Sequence, residues 1–356
     1  MNRIRTIARN LAANNVDALI ITNMSNVFYV SGFTGSAAMV VITERDASIL
    51  VDSRYTLQAK RQCEDLDVVE FSAMSVFEAA TKILERSDPK RVGVEADYMT
   101  MSDYGKLVKF AEGKYQICST SGIVERLRCV KDAKEIEAVR AAIRISDTVF
   151  RAMRHEIKPG VTEKHMAAFI DNVMRELGAD GTALSTISAS GPNTALPHAY
   201  PTDRPIQAGE FYLADYGARL NMYNSDITRT FFVGEPNAKQ YEIYDTVLTA
   251  QKAAIKAIRP GKTGAEIDKV ARDIIAYAGF GDCFGHSLGH SLGIDTHDGA
   301  GFSPKSSLVL KPGMVITVEP GIYIEGFGGV RIEDDILVTE NGCEVLTDCD
   351  KERIIL

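Results

Sequence analysis

This chain of 356 residues lacks three things. No apolar run approaches the roughly 20 residues needed to span a bilayer, which excludes a helical membrane role. No run of lysine and arginine forms a basic stripe, and the formal charge of −8 argues against a nucleic-acid surface. No Cys-x-x-Cys pair occurs among Cys63, Cys118, Cys129, Cys283, Cys343 and Cys349, which read as free thiols in a reducing cytoplasm. The start, MNRIRTIARNLAANN, has a helical period without the apolar stretch of a signal peptide. What is present is a globular composition, 45% hydrophobic and 25% charged, in a length that suits two cores better than one.

Residues 1–131 alternate between two textures. RIRTIARNLAANN and SVFEAATKILERS have helical periods, while ALIIT, AMVVIT, SILV and RVGVE are short β-rich runs bounded by turn residues. They predict an α/β domain. A long helix is predicted from about Asp132 to about Glu156, opening a second domain over 132–356. That domain repeats itself faintly. IKPGVTEKHMAAFIDNVMRELGA, from Ile157, resembles IRPGKTGAEIDKVARDIIAYAGF, from Ile258. In each copy a helix stops at Pro-Gly and a threonine, Thr162 or Thr263, is placed to cap the next; Thr263 with Glu266 fits a capping box. A β-rich region follows each copy, so the second domain is predicted to be α+β with an internal pseudo-two-fold repeat.

The carboxylates in those β regions carry the chemistry. If FYLADYG and NSDITRTFF are hairpin arms turning near Leu220-Asn221, Asp215 and Asp226 lie opposite each other on one face, about 5 Å apart at Cβ. Glu319 and Glu333 fall in the same way around Gly326. Like charges directly opposed in a sheet are unfavourable, and two such pairs in corresponding places of a repeat call for a cation. The stretch FGHSLGHSLGIDTHDG adds His286, His290 and His297, with Gly285, Gly289 and Gly293 at every fourth position. Four carboxylates and an imidazole form a hard oxygen and nitrogen set suited to Mn²⁺, Co²⁺, Fe²⁺ or Zn²⁺. Two divalent ions would balance four ligand charges, as in two-metal sites with ions roughly 3.5–4 Å apart. Taken singly, each acid reads as a turn or solvent residue and His290 as a hydrogen-bonded core residue; the joint pattern decides. His155 and His165 sit in helical stretches as structural or surface residues.

DYGARLNMYNSDITRTF, GHSLGHSLGIDTHD, TVEPGIYI and GGVRIEDD, in this order and spacing, resemble the pita-bread metallopeptidases. Within that group the chain resembles the proline-specific branch of Xaa-Pro aminopeptidases and Xaa-Pro dipeptidases (prolidases). SGFTGSAAMVVIT and LVDSRYTLQA resemble that branch's amino-terminal, creatinase-like domain, and SASGPNTALPHAYPTDRPIQAGE the segment ahead of the first ligand. The resemblance implies a creatinase-like α/β domain followed by a pita-bread catalytic domain. By position it implies Asp215, Asp226, His290, Glu319 and Glu333 as ligands of two divalent ions, Mn²⁺ first and Co²⁺, Zn²⁺ or Fe²⁺ as alternatives, with Asp226 and Glu333 bridging. It implies that His198 hydrogen-bonds the reacting peptide, that His297 stabilises the tetrahedral intermediate and that His286 lines the pocket around proline. Glu319 would move a proton to the leaving nitrogen, and Arg331 would hold ligand carboxylates in place. Peptides with proline second would be the substrates of a cytoplasmic homodimer, with no nucleic acid or membrane as partner. Arg54 and Tyr55 in DSRY are candidates for the dimer contact, with an Asp52–Arg54 ion pair as the plainer alternative.

Two departures from the family pattern bear on the substrate. Ser291 stands where glycine is common after the ligand histidine, and Asp298-Gly299-Ala300 where Glu-x-Pro is common. Many prolidases carry an arginine just beyond, to hold a dipeptide's carboxylate, and GAGFS offers no positive charge there. An Xaa-Pro aminopeptidase acting on longer peptides is therefore expected, with the Xaa-Pro dipeptidase as the alternative. A metal-free amidinohydrolase or a binding protein on the same fold would lose ligands, and this chain has all five; methionine aminopeptidases generally lack so large an α/β domain.

Overall fold

A computed structural model describes residues 3–72 and 74–356, which form two compact units divided between Arg128 and Cys129. The first is built on a six-stranded sheet. Its strands are β1 (Ala18–Ile21), β2 (Met39–Thr43), β3 (Ala47–Val51), β4 (Asp67–Glu70), β5 (Arg91–Glu95) and β6 (Gln116–Thr120), in the order β4-β3-β2-β1-β5-β6. Neighbours β1, β2 and β3 are antiparallel; β3–β4, β1–β5 and β5–β6 are parallel and so need crossovers. Helices α1 (Arg3–Asn10), α2 (Met24–Ser31), α3 (Thr56–Gln62), α4 (Val76–Leu84), α5 (Met101–Ala111) and α6 (Glu125–Arg128) fill the intervals. Every residue of β1 and β2 is buried, which explains why ALIIT and AMVVIT show no polar alternation. Arg54 pairs bidentately with Asp52, at 2.9 and 2.7 Å. No helix among the described residues is long and apolar enough to cross a membrane.

The second unit opens on α7 (Ala133–Met153), which Asp132 and Glu135 start with a capping box. It then runs through α8 (Glu163–Glu176), α9 (Ala238–Ala257) and α10 (Gly264–Tyr277). Corresponding places in the two copies make the same bonds. Thr162 caps α8 and Thr263 caps α10. Gly160 N–H donates to Ile206 O and Ile206 N–H to Val161 O, while Gly261 N–H donates to Leu310 O and Leu310 N–H to Lys262 O. Both glycines hold φ near +90°, where a side chain would be strained.

Each copy supplies two small antiparallel sheets. Strands β7 (Gly181–Thr182), β8 (Ile187–Ser190), β9 (Glu210–Tyr216), β10 (Ala218–Leu220), β11 (Tyr223–Asn224) and β12 (Ile227–Val233) belong to the first. The second has β13 (Val315–Val318), β14 (Gly321–Ile324), β15 (Gly328–Arg331), β16 (Asp334–Val338) and β17 (Cys343–Val345). Alternation along the strands separates core from site. Tyr212, Ala214, Ile227 and Phe231 pack with Val149, Phe150, Met166 and Ile170 of α7 and α8, leaving Asp215, Asp226 and Thr228 at alternate positions. Ile316, Val318, Ile336 and Val338 pack with Ile243, Val247, Ile267 and Ala271 of α9 and α10, leaving Thr317, Glu319, Glu333 and Asp335. Each fully buried Val, Ile, Phe or Met among them contributes about 1.5–3 kcal/mol.

The first hairpin departs from its expected register. Thr228 stands opposite Asp215, Ile227 opposite Tyr216 and Leu220 opposite Tyr223. The turn is Asn221-Met222, one residue later than the sequence suggested, and both residues have positive φ, 50° and 70°. That is a type I′ turn, whose twist matches the strands it joins. Asp215 and Asp226 are therefore diagonal neighbours rather than directly opposed. They keep a common face because the pairing slips by two residues and the side-chain period is 2. In the second hairpin, Val318 pairs with Asp334 and Gly321 with Arg331, so Glu319 and Glu333 fall opposite each other between two ladders.

Candidate metal centre

Ligand atoms of Asp226, His290 and Glu333 lie within 4.8 Å of one another. Asp226 comes from the loop entering β12, Glu333 from the residue before β16, and His290 from the glycine-rich stretch that runs beside β13. That stretch is tied by His290 N–H to Thr317 Oγ1 (3.0 Å), Thr317 N–H to His290 O (2.9 Å) and Glu319 N–H to Leu288 O (2.8 Å). A Cβ on Gly289 would sit 1.9 Å from Thr317 O, so only glycine permits the approach. Gly285, by contrast, faces open space. His290 Nδ1 lies 3.2 Å from Ser291 O and so carries the proton, which turns Nε2 toward Asp226 Oδ2 and Glu319 Oε1, each at 3.5 Å. Burial would lower the His290 pKa, but the hydrogen bond to Asp226 and the charges of Glu319 and Asp226 outweigh it and raise the value to about 9.

Bonds between the two hairpins hold the remaining acids. Arg331, buried, donates from Nη2 to Asp215 Oδ2 (2.6 Å), from Nε to Thr228 Oγ1 (3.0 Å) and from Nη1 to Tyr323 Oη (2.7 Å). Thr228 in turn donates to Glu333 Oε2 (2.6 Å), and Asp226 N–H donates to Asp335 Oδ2 (3.0 Å). Burial raises the Asp215 carboxyl even with Arg331 beside it. Burial also raises Glu319, and for Glu333 burial is joined by repulsion from Asp226 and Glu319.

All nine residues singled out in the sequence line one of two cavities with shared walls. The larger, about 480 Å³, is lined by Asp215, Asp226, His290, Glu319, Glu333, His198 and His297, and closed by Leu184, Ile187, Tyr200 and Pro201. The second, about 340 Å³, adds His286 and Arg331. His297 packs against His290 with ring centroids 4.1 Å apart and planes tilted by 54°, and partial desolvation of the ring lowers its pKa. His286 Nδ1 donates to Ser287 O (2.8 Å), so its Nε2 accepts the Tyr323 hydroxyl proton at 2.9 Å. Burial, then the Arg331 charge, lowers the His286 pKa to about 4.

Comparison with known proteins agrees with this geometry. Residues 137–340 match the model of metallopeptidase family M24, and residues 3–130 match the creatinase/prolidase N-terminal domain. The chain belongs to metallopeptidase family M24. It is 38% identical over 352 residues to an Xaa-Pro dipeptidase of Pyrococcus furiosus, with 99% of each chain covered. The solved structure of an Xaa-Pro dipeptidase from Bacillus anthracis superposes with a TM-score of 0.97 at 39% identity, covering 99% of both chains. An X-Pro aminopeptidase from Thermotoga maritima gives a TM-score of 0.90 at 36% identity, over 98% of this chain and all of that one. Such neighbours make the first unit a creatinase-like domain and the second, which follows it in the chain, a pita-bread domain.

Membership of family M24 implies divalent metal ions, and the residues fit them. Asp215 Oδ1 and Asp226 Oδ1 are buried with no hydrogen-bond partner among the described residues, a costly state that a cation relieves. Sequence reasoning passed over Thr228, Thr317, Asp335 and Tyr323. The first three sit two residues from Asp226, Glu319 and Glu333 on the same strand faces, so the period-2 rule alone would have found them. Tyr323 lies in the quoted EPGIYI, but nothing in its spacing shows that its hydroxyl meets both Arg331 and His286.

Proposed function

We propose that the chain hydrolyses the Xaa-Pro bond with two divalent ions held by Asp215, Asp226, His290, Glu319 and Glu333, and that dipeptides are its main substrates. The observation that carries the chemistry is one cavity lined by four carboxylates and an Nε2-directed imidazole, with Asp226, His290 and Glu333 close enough to share an ion. Ions held there would supply Lewis acidity, making water ionise near neutral pH and polarising the scissile carbonyl. Mn²⁺ is the ion we place first, acting in a cytoplasmic homodimer.

The chain's own groups do the rest. His198 and His297, on the cavity wall, donate to the oxyanion as it develops. Glu319 carries a proton to the leaving proline nitrogen. Arg331 keeps Asp215 ionised and aimed. Both His286 nitrogens are engaged, so the ring offers its face and C–H edge rather than a hydrogen bond, a surface suited to a proline ring that lacks an N–H. A substrate α-amino group would meet the carboxylates, which limits cleavage to the first residue.

Preference for dipeptides rests on the Xaa-Pro dipeptidases that match along the whole chain. The aminopeptidase expected from GAGFS keeps one observation in its favour. Arg331 is the one permanent cation lining the second cavity, and Asp215 and Tyr323 already hold it. Chelator-stripped protein assayed on Ala-Pro and Ala-Pro-Ala, before and after Mn²⁺ or Co²⁺, decides. Metal-dependent cleavage of Ala-Pro, lost in Glu319→Gln, is the expected result. Cleavage of Ala-Pro-Ala alone makes it an aminopeptidase, and cleavage of neither overturns the proposal.

A further inference from the structure

Unlike His286 and His290, the site histidine His297 has no partner that holds its imidazole nitrogens among the described residues. It is exposed, and its ring makes no hydrogen bond to a described residue, only the tilted ring contact with His290. Its place must therefore come from the backbone. Directly behind that backbone lies an ion pair that no catalytic role explains. Lys131 Nζ stands 3.3 Å from Asp298 Oδ2, with side chains 1% and 2% exposed.

The surroundings are built around this pair. Asp298 N–H donates to Ser291 O (2.8 Å), so residues 291–298 close into an arm with its base beside His290. A Cβ on Gly293 would lie 2.1 Å from Asp298 Oδ2 and 2.9 Å from Lys131 Cε, so the charges press directly on the arm's backbone. The same arm is tied to the strand leading to Asp226 by Asn224 N–H to Gly293 O (2.9 Å) and Asn224 Nδ2 to Ile294 O (2.8 Å). Lys131 is itself fixed by its N–H to Gly313 O (2.8 Å), just ahead of β13. Buried ion pairs contribute little net stability, because desolvation offsets their attraction; what they can supply is a single conformation.

We propose that Lys131 and Asp298 are positioning residues for His297: their buried pair fixes the 291–298 arm so that the imidazole meets the reacting carbonyl. The role rests on the donor function given to His297 above.

The test is a double-mutant cycle on the full metal-loaded chain, with Ala-Pro and Ala-Pro-Ala as substrates. Lys131→Met should lower kcat roughly tenfold to 100-fold, the size of effect a displaced catalytic group gives, with KM and bound metal unchanged. In a His297→Ala background the same change should cost less than about twofold, because the group it positions is gone. Equal losses in both backgrounds would make the pair merely structural and overturn the proposal. If Lys131→Met does not fold, Lys131→Met with Asp298→Asn removes both charges and carries the same expectation; full kcat in that variant also overturns it. Nitrogen-15 spectra of the imidazoles give a readout that needs no turnover. The His297 signals should shift or broaden in Lys131→Met while those of His165 stay, and an unmoved His297 counts against the pair. If the unaltered protein cleaves neither peptide, the Xaa-Pro proposal has failed, and these spectra still decide whether Lys131 places His297.

Discussion

The two hairpins that carry the acids solve one problem differently. In the first, short aspartates sit diagonally across a ladder that turns tightly at Asn221-Met222. In the second, longer glutamates face each other across a gap between two ladders. Among the four candidate ligand acids, only those of the first hairpin leave buried oxygens unpartnered among the described residues, Asp215 Oδ1 and Asp226 Oδ1; in the second, Asp335 Oδ1 is left so beside the ligands. Glu319 and Glu333 instead each accept a threonine hydroxyl, from Thr317 at 3.1 Å and Thr228 at 2.6 Å. The first hairpin's ligand acids thus lean more heavily on a cation, while the two glutamates of the second are better satisfied by protein.

The largest expected effect tests that asymmetry. Asp226→Asn and Glu333→Gln should each lower kcat by roughly 1,000-fold or more, since site residues that act as a unit fail together. In metal-free protein, however, Asp226→Asn should raise the melting temperature more than Glu333→Gln, because it relieves the orphaned oxygen. Equal shifts in a calorimeter would break the comparison.

A second effect belongs to the second hairpin alone, through Tyr323 and His286. The folded His286 pKa, about 4, lies below the unfolded value, so between pH 6.5 and 4 the unfolded chain binds the extra proton. Stability is therefore lost as pH falls through that window, by at most about 3 kcal/mol from this group, and is unaffected above it. Denaturant titrations of metal-free protein at pH 7 and pH 4.5 should show this difference shrinking in His286→Asn.

Smaller still is the cross-brace. Thr228→Val should cut metal affinity by about 10- to 100-fold, as loss of an outer hydrogen bond to a ligand does, measured by titration calorimetry. An unchanged affinity would mean that Glu333 needs no help from the first hairpin. The least is the turn. Met222→Gly should stabilise by about 0.5–1 kcal/mol at unchanged kcat, since glycine accepts the positive φ without strain.

Much of this was legible in the sequence. The capping threonines, the long helix and the repeat are local chemistry, and local chemistry is written in adjacent residues. The common face of Asp215 and Asp226 was legible too, because a slip of two residues preserves parity, but their direct opposition was not. No pairing of Asn221 with Met222 carries the glycine that marks a type I′ turn, so the turn could not be located to the residue. The Lys131–Asp298 and Arg331–Asp215 contacts join residues far apart in the chain, and periodicity holds no trace of them.

The bonds between the hairpins also set an order of events as the chain folds. Asp226 N–H and Asp335 are 109 residues apart, and Thr228 and Glu333 are 105. Contacts so distant close last, since a long loop must be ordered before they form. Either half could gather its helices and sheet early, yet neither alone holds the ligand set. Tight metal uptake would therefore mark the final docking step, and its rate during refolding would time the joining of the two halves.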